Sequence, residues 1–128
     1  MIVLDTHAFV WWTAKPEKLS AVARRRIEGA KQFGVCAISL WEIAMLVERG
    51  RIEFDRDVGE WLDVALAQER VELLPLSAEV AVRSTRLGPE FHGDPADRLI
   101  VATAMTHKAP LVTKDERIRD FPEAHAVW

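Results

Sequence analysis

Short, mostly apolar segments alternate with helical patterns along this 128-residue chain, and this alternation constrains the fold more than any other feature. The strand candidates are residues 2–4, 35–38, 71–74 and 111–113, with a weaker fifth at 124–127. Runs of this kind, apolar at successive positions, are typical of strands in a parallel sheet that is covered on both faces. We therefore predict an α/β fold with three layers, in which helices flank both faces of a parallel β-sheet.

Capping and breaking residues mark the helices between these strands. Ser20 and Ser77 each precede a helical pattern and are predicted N-caps, because a serine hydroxyl accepts a backbone N–H at that position. Pro16 stops the first helix, and Gly50 ends the helix after the second strand. In residues 99–105 threonine is the only polar type, so this segment should be nearly fully buried. No linker divides the chain, and we predict a single domain over residues 1–128.

Charge and cysteine content narrow the classes of function. The formal net charge of −3 argues at first against a nucleic-acid partner, but bound cations that neutralised four of the acids would reverse its sign. Cys36 is the one cysteine, so no intrachain disulfide can form and a reducing compartment is expected. No secretory leader and no stretch of roughly 20 apolar residues is visible, so we expect no membrane association and a cytoplasmic location.

Four acidic residues lie where predicted strands give way to helices. They are Asp5, Glu42, Asp97 and Asp115. Because the carboxyl ends of parallel strands meet at one edge of the sheet, we expect these side chains to lie together. Grouped carboxylates repel one another, and a hard divalent cation relieves that repulsion. The sequence therefore predicts a carboxylate site for Mg²⁺ or Mn²⁺, with chemistry on phosphate esters.

Each acid also has a purely structural interpretation. Asp5 and Asp115 both suit the N-cap of a following helix. Glu42 follows Ser39 at the spacing of a capping box, in which the glutamate accepts a hydrogen bond from the backbone N–H of the serine. For each residue taken singly, helix capping and metal binding are both sufficient explanations. The occurrence of all four acids at such junctions favours a metal site.

Three further residues are predicted auxiliaries of the acids. Asp94 suits the N-cap of the helix that carries Asp97, which leaves the latter for the metal. Thr113, at the end of the fourth strand, is either an ordinary strand threonine or a hydrogen-bond partner for a carboxylate, water or phosphate. Thr6 directly follows the first acid in the chain.

Four motifs occur in order along the chain: Leu-Asp-Thr-His-Ala at 4–8, Ser-Leu-Trp-Glu at 39–42, Asp-Pro-Ala-Asp-Arg at 94–98 and Val-Thr-Lys-Asp at 112–115. In these motifs the chain resembles the PIN-domain ribonucleases, specifically the VapC-type toxins of bacterial type II toxin–antitoxin pairs. The resemblance covers essentially the whole chain. It implies a single PIN domain acting as a Mg²⁺- or Mn²⁺-dependent endoribonuclease, with Asp5, Glu42, Asp97 and Asp115 as metal-binding and catalytic residues. Ala96 stands where the family often has a bulky apolar residue, which is expected to alter packing at the pocket mouth.

The resemblance also implies partners, namely an RNA substrate, a cognate antitoxin protein and a second copy of the chain in a homodimer. Arg98 and Lys114 are predicted to contact RNA or antitoxin, or else to be solvated side chains beside the acids. Arg24 and Arg25 belong to the densest basic cluster, which either steers the RNA backbone or is the solvated side of its helix. Most of the five tryptophans are expected in core or interface packing rather than against bases.

Two other functions are compatible with the sequence. A non-catalytic or differently specific interaction module would keep the PIN fold, although it would not need all four acids. A phosphatase of the haloacid-dehalogenase type also begins with a strand and an aspartate, but it needs a second aspartate where this chain has His7. A supporting role is favoured for His7 over that of general base, because a bound metal would itself activate water.

Overall fold

Five strands form the sheet at the centre of the computed structural model, which describes residues 1–128. Neighbouring strands are parallel throughout, which confirms the predicted parallel α/β sheet. In the spatial order β3-β2-β1-β4-β5, the strands are β1 (Ile2–Leu4), β2 (Phe33–Cys36), β3 (Val71–Leu74), β4 (Leu111–Val112) and β5 (Ala126–Val127).

Seven α-helices connect and cover the strands. They are α1 (Thr6–Ala14), α2 (Ala21–Gly29), α3 (Ala37–Glu48), α4 (Val58–Leu66), α5 (Ala78–Ser84), α6 (Pro95–Thr106) and α7 (Glu116–Arg119), with 3₁₀ turns at Pro16–Lys18 and Pro122–Ala124. The predicted caps are confirmed, since Ser20 accepts the backbone N–H of Ala23 at 3.0 Å and Ser77 accepts that of Val80 at 3.2 Å. Gly50 follows α3 with a φ of +69°, a conformation that glycine adopts at little cost. None of the helices is long and apolar enough to cross a bilayer.

The two faces of β1 point into two separate hydrophobic clusters. Ile2 and Leu4 pack with Phe9 among side chains from α1 to α4. Val3, which points the opposite way, packs with Ile100 among side chains from α6 and α7. Fully burying a side chain of this size contributes about 1.5–3 kcal/mol. The sheet is therefore the middle of three layers, as the sequence predicted.

The second strand and the start of α3 differ from the sequence prediction. The strand is Phe33–Cys36, two residues earlier than the predicted 35–38. The prediction started too late because Gly34 separates Phe33 from the apolar run that follows it. Helix α3 begins at Ala37, so Ser39 lies in its first turn and is fully buried. The predicted capping box of Ser39 and Glu42 is therefore wrong, and Glu42 lies in the second turn of the helix.

Smaller differences occur at other boundaries. Strand β4 ends one residue before the predicted end, and β5 begins two residues after the predicted start. In the segment 99–105 the interior is buried from Ile100 to Ala104, while Leu99 and Met105 at its ends are half-buried. The ends are less buried because the helix that contains this segment lies at the protein surface and is not enclosed on every side.

The chain reverses its direction of travel across the sheet between β1 and β4, which are neighbours in space. In open α/β sheets, ligands bind outside the carboxyl ends of the strands at such a switch point. The backbone N–H of Asp5 donates to the carbonyl of Val112 at 3.0 Å, so the residues that follow β1 and β4 lie side by side. The fold therefore brings Asp5 and Thr113 to the same edge of the sheet.

Candidate active site

Asp5 begins α1 directly after the central strand. Its Oδ1 accepts the backbone N–H of Ala8 at 2.8 Å, so the predicted capping role is confirmed. Burial raises the pKa of the Asp5 carboxyl above its ordinary value, although hydrogen bonds from Thr113 and from the N–H of Ala8 act in the opposite direction. The negative charge of Asp97 raises the pKa further, which shows that these two acids lie close enough to interact.

Glu42 reaches the same place from α3. Its Oε1 accepts a hydrogen bond from the hydroxyl of Thr6 at 2.5 Å, and the Thr6 oxygen is 2.9 Å from the hydroxyl of Ser39. Thr6 and Ser39 are both buried, so these hydroxyls form a fixed support beneath the carboxylate. Burial raises the pKa of Glu42, the Thr6 hydrogen bond lowers it, and the charge of Asp97 raises it.

Asp97 lies in the first turn of α6. Its backbone N–H donates to Oδ1 of Asp94 at 3.0 Å, which confirms that Asp94 caps the helix. The metal role of Asp97 stays a prediction. The Asp97 Oδ2 atom is 2.7 Å from Nε2 of His92. Burial raises the pKa of Asp97, the His92 hydrogen bond lowers it, and the charges of Asp94 and Asp115 raise it.

Asp115 begins α7 just after β4. Its Oδ1 accepts the backbone N–H groups of Arg117 at 2.8 Å and Ile118 at 3.2 Å, which confirms the capping interpretation. Its own N–H donates to the hydroxyl of Thr113 at 3.1 Å. Thr113 is fully buried, and it contacts both Asp115 and Asp5. The structure thus places this threonine between the acids that follow β1 and β4.

All four acids line one cavity of about 790 Å³ at the carboxyl edge of the sheet. The walls also include further polar and aromatic residues, namely Thr6, His7, Trp11, Arg51, Asp94, Lys114, Glu116 and Arg117. Carboxylate oxygens that raise one another's pKa match the ligand preference of a hard divalent cation. No three or more His, Cys, Asp or Glu side chains are already arranged as ligands of one ion. The donor set therefore fits Mg²⁺ or Mn²⁺ in its chemistry, and side chains must adjust for an ion to bind.

Two residues at the site were not predicted from the sequence. His92 contacts Asp97, and its ring stacks on Phe91 with centroids 4.5 Å apart. The guanidinium of Arg117 is 3.8 Å from the Oδ2 atoms of both Asp97 and Asp115. The one local indication was for Arg117, which lies two residues after an aspartate at a helix start.

The side chain of Arg98 donates hydrogen bonds to backbone carbonyls and does not line the acidic cavity. Its guanidinium donates to the carbonyls of His92 and Phe91, both at 2.9 Å, and to that of Ser84 at 3.2 Å. These hydrogen bonds hold the loop that carries His92 against α6. The predicted contact of Arg98 with RNA or antitoxin stays a prediction.

The other predicted contact residues occupy different places. Lys114 is exposed at the cavity wall, with its Nζ 5.9 Å from the ring centroid of Trp11. Arg24 donates to the carbonyl of Pro16 at 2.6 Å, on the surface. Arg25 lies with the first residues of β1, at the amino edge of the sheet and therefore opposite the acids. The structure does not bring Arg25 to the acidic cavity.

The tryptophans divide between core and surface. Trp61 is buried and stacks on Phe54 with centroids 4.0 Å apart, as expected for core packing. Trp12 and Trp11 are half-buried against the first cluster. Trp41, on α3, is 57% exposed.

Fold and site together define a parallel α/β protein with an acidic pocket at the switch point of its sheet. The PIN domain family model matches residues 2–124. The chain is also 43% identical over 129 aligned residues to Ribonuclease VapC22 of Mycobacterium tuberculosis (strain ATCC 25618 / H37Rv), an alignment that covers 99% of this chain and 98% of that protein. The chain therefore belongs to the PIN domain family, which excludes the haloacid-dehalogenase alternative.

Solved structures share this fold. A toxin–antitoxin complex from Klebsiella pneumoniae matches with a TM-score of 0.70 and 19% identity, covering 100% of this chain and 97% of that one. VapBC2 from Rickettsia felis, bound to a DNA fragment from its promoter, matches with a TM-score of 0.73 and 20% identity, covering 99% and 98%. At these identities the likeness establishes the fold alone.

Proposed function

We propose that the chain is a divalent-metal-dependent endoribonuclease and the toxin of a toxin–antitoxin pair. The observation that carries this proposal is the convergence of Asp5, Glu42, Asp97 and Asp115 on one cavity at the carboxyl edge of the sheet. It is supported by the 43% identity to a protein named as a ribonuclease. Residues 1–128 act as one catalytic domain in this proposal.

These four carboxylates would hold Mg²⁺ or Mn²⁺. The bound ion would supply an activated water and charge neutralisation at the phosphate. The chain contributes the supports of its ligands. Thr6 holds Glu42 from below and Thr113 lies between Asp5 and Asp115, so these side chains stay oriented despite their mutual repulsion.

Two residues outside the ligand set have roles of their own. His92 fixes one oxygen of Asp97 and thereby sets its orientation. Lys114, exposed at the cavity wall beside Trp11, offers a positive charge to the RNA backbone. Water attacking in line with the leaving 3′ oxygen would leave a 5′-phosphate and a 3′-hydroxyl. No serine or cysteine nucleophile is required.

Conservative variants test this proposal. Asp5→Asn and Asp97→Asn keep the size of each side chain and remove its charge, so both proteins should fold and neither should cleave RNA. Asp63→Asn is the matched control, because Asp63 is an exposed acid on α4 and does not line the cavity. EDTA should stop cleavage by the wild type and by the control, and Mn²⁺ should restore it. Full cleavage by a folded Asp5→Asn/Asp97→Asn double variant would refute the nuclease proposal.

The same experiment decides between a catalyst and a non-catalytic interaction module. A folded wild type that cleaves no RNA in Mg²⁺ or Mn²⁺ would favour the module. Failure of the Asp63→Asn control together with the wild type would point in the same direction, whereas loss confined to the cavity variants supports catalysis.

We also propose partners and a cellular location. Helix α3 is apolar over most of its length, yet only Ser39 and Ile43 on it are buried. Such a surface suits an antitoxin or a second copy of the chain. A cytoplasmic location agrees with the free, buried Cys36. Light scattering of the purified chain tests the homodimer, and a Trp41→Glu variant that remained associated would argue against α3 as the contact.

A further inference from the structure

One arginine side chain lies beside two of the acids. The Nη2 atom of Arg117 is 3.8 Å from Oδ2 of Asp97 and 3.8 Å from Oδ2 of Asp115. No other lysine or arginine pairs with an acid of the cavity within 4.0 Å. Arg51 and Lys114 line the same cavity without such a pair. Arg117 is therefore the one lysine or arginine that pairs with the acids of the cavity in this structure.

The backbone of Arg117 is fixed while its side chain is free to leave. Its N–H donates to Oδ1 of Asp115 at 2.8 Å and so helps to begin α7. Its side chain is 63% exposed, and its two ion pairs are at the long end of contact distance. Ion pairs of this kind are weak, because water and salt screen them. The guanidinium can therefore move away without disturbing the helix that positions Asp115.

Arg117 and a divalent cation require the same oxygens. A guanidinium beside Asp97 and Asp115 neutralises part of the charge that would otherwise attract an ion, and an ion bound there repels the guanidinium. Arginine is well suited to phosphate, since its planar donors match two phosphate oxygens at once.

We propose that Arg117 is an exchangeable counter-ion of the acidic cavity, which pairs with Asp97 and Asp115 before a divalent cation binds and contacts the RNA phosphate once displaced. The proposal rests on the nuclease function proposed above. It adds a substrate-binding residue that lies outside the set of carboxylates, and it places that residue in competition with the metal.

Calorimetric titration of Mn²⁺ tests the competition without any measurement of activity. The variant is Arg117→Gln, which keeps the backbone N–H that donates to Oδ1 of the N-cap Asp115. Arg119→Gln is the matched control, because Arg119 lies on the same short helix and pairs with no acid of the cavity. Arg117→Gln should bind Mn²⁺ about two- to tenfold more tightly than the wild type, from the loss of two exposed ion pairs. Arg119→Gln should bind it like the wild type.

Binding of a single-stranded RNA oligonucleotide tests the second half of the exchange. With Ca²⁺ as the cation to slow cleavage, RNA affinity is measured as a function of salt. Arg117→Gln should bind RNA more weakly and lower the slope of log K against log salt by about 0.7, the value for one phosphate contact. Arg119→Gln should leave the slope unchanged. Circular dichroism of both variants checks that the fold is intact.

The outcomes separate this inference from the proposed function. If the wild type binds Mn²⁺ but Arg117→Gln binds it no more tightly, or if the RNA slope does not change, the exchange is overturned and the nuclease proposal stands. If the wild type binds no Mn²⁺ at all, the nuclease proposal fails and this inference fails with it.

Discussion

Replacing Thr6 by valine removes one hydroxyl from the buried wall of the acidic cavity. Thr6 is 3% exposed, and its hydroxyl is 2.5 Å from Oε1 of Glu42 and 2.9 Å from the hydroxyl of Ser39. Valine keeps the volume and the branching at Cβ but can neither donate nor accept a hydrogen bond. The substitution therefore isolates the polar contribution of this position.

Two terms set the size of the effect on the free energy of unfolding. A hydrogen bond to a charged carboxylate contributes about 1.5–3 kcal/mol, and the lower end applies because water can partly replace Thr6 at the half-buried Glu42. Ser39 is fully buried, and the loss of its partner costs about 1–3 kcal/mol. We expect Thr6→Val to destabilise the chain by about 2–4 kcal/mol.

Urea unfolding in EDTA measures this loss for the metal-free protein. Thr6→Ser is the control, because it retains the hydroxyl and loses only a methyl group, at a cost of about 1 kcal/mol. Thr6→Val should therefore be clearly less stable than Thr6→Ser, although it preserves more apolar volume. If Thr6→Val were as stable as the wild type, or more stable than Thr6→Ser, the support assigned to Thr6 would be refuted.

Three further outcomes follow from the structure. Burial raises the pKa of Asp5, Glu42 and Asp97, so above the ordinary carboxyl pKa of about 4 the folded metal-free chain holds protons that the unfolded chain has released. Its free energy of unfolding should therefore fall as pH rises through the raised pKa values and recover on acidification towards pH about 4. Urea midpoints in EDTA that do not change with pH would contradict this. Arg98→Met withdraws charged donors from three backbone carbonyls and should cost about 2–4 kcal/mol, so an unchanged melting temperature would argue against the loop-holding role. Burial raises the pKa of the Cys36 thiol to about 12, so the native protein should not react with an aromatic disulfide reagent at neutral pH, whereas the unfolded protein should react fully; rapid reaction of the native thiol would contradict its burial.

Much of the fold could be predicted because its signals are local. The hydroxyls of Ser20 and Ser77 and the carboxylate of Asp94 cap the helices that they were predicted to cap. The apolar run of β1 is buried on both sides, as a central parallel strand must be. The predicted boundary between β2 and α3 was wrong because apolar residues continue across it, and no capping side chain marks the start of the helix.

The site was predictable only in part. Asp5 and Asp115 follow strands, so their meeting at one edge depends on parallel pairing alone. Glu42 was placed at a helix start, whereas it reaches the cavity from the second turn of α3. His92 and the guanidinium of Arg117 contact Asp97 through tertiary packing of a loop and a short helix, and the sequence distance between these residues and Asp97 does not predict that packing.

Anomalous diffraction at the manganese absorption edge, from crystals grown with Mn²⁺, tests the metal site most directly. We expect a peak inside the acidic cavity, in contact with carboxylate oxygens of Asp5, Glu42, Asp97 or Asp115, and its loss in Asp97→Asn crystals. Saturating Mn²⁺ that left the cavity empty, or that bound only elsewhere on the surface, would contradict the assignment of these acids as metal ligands.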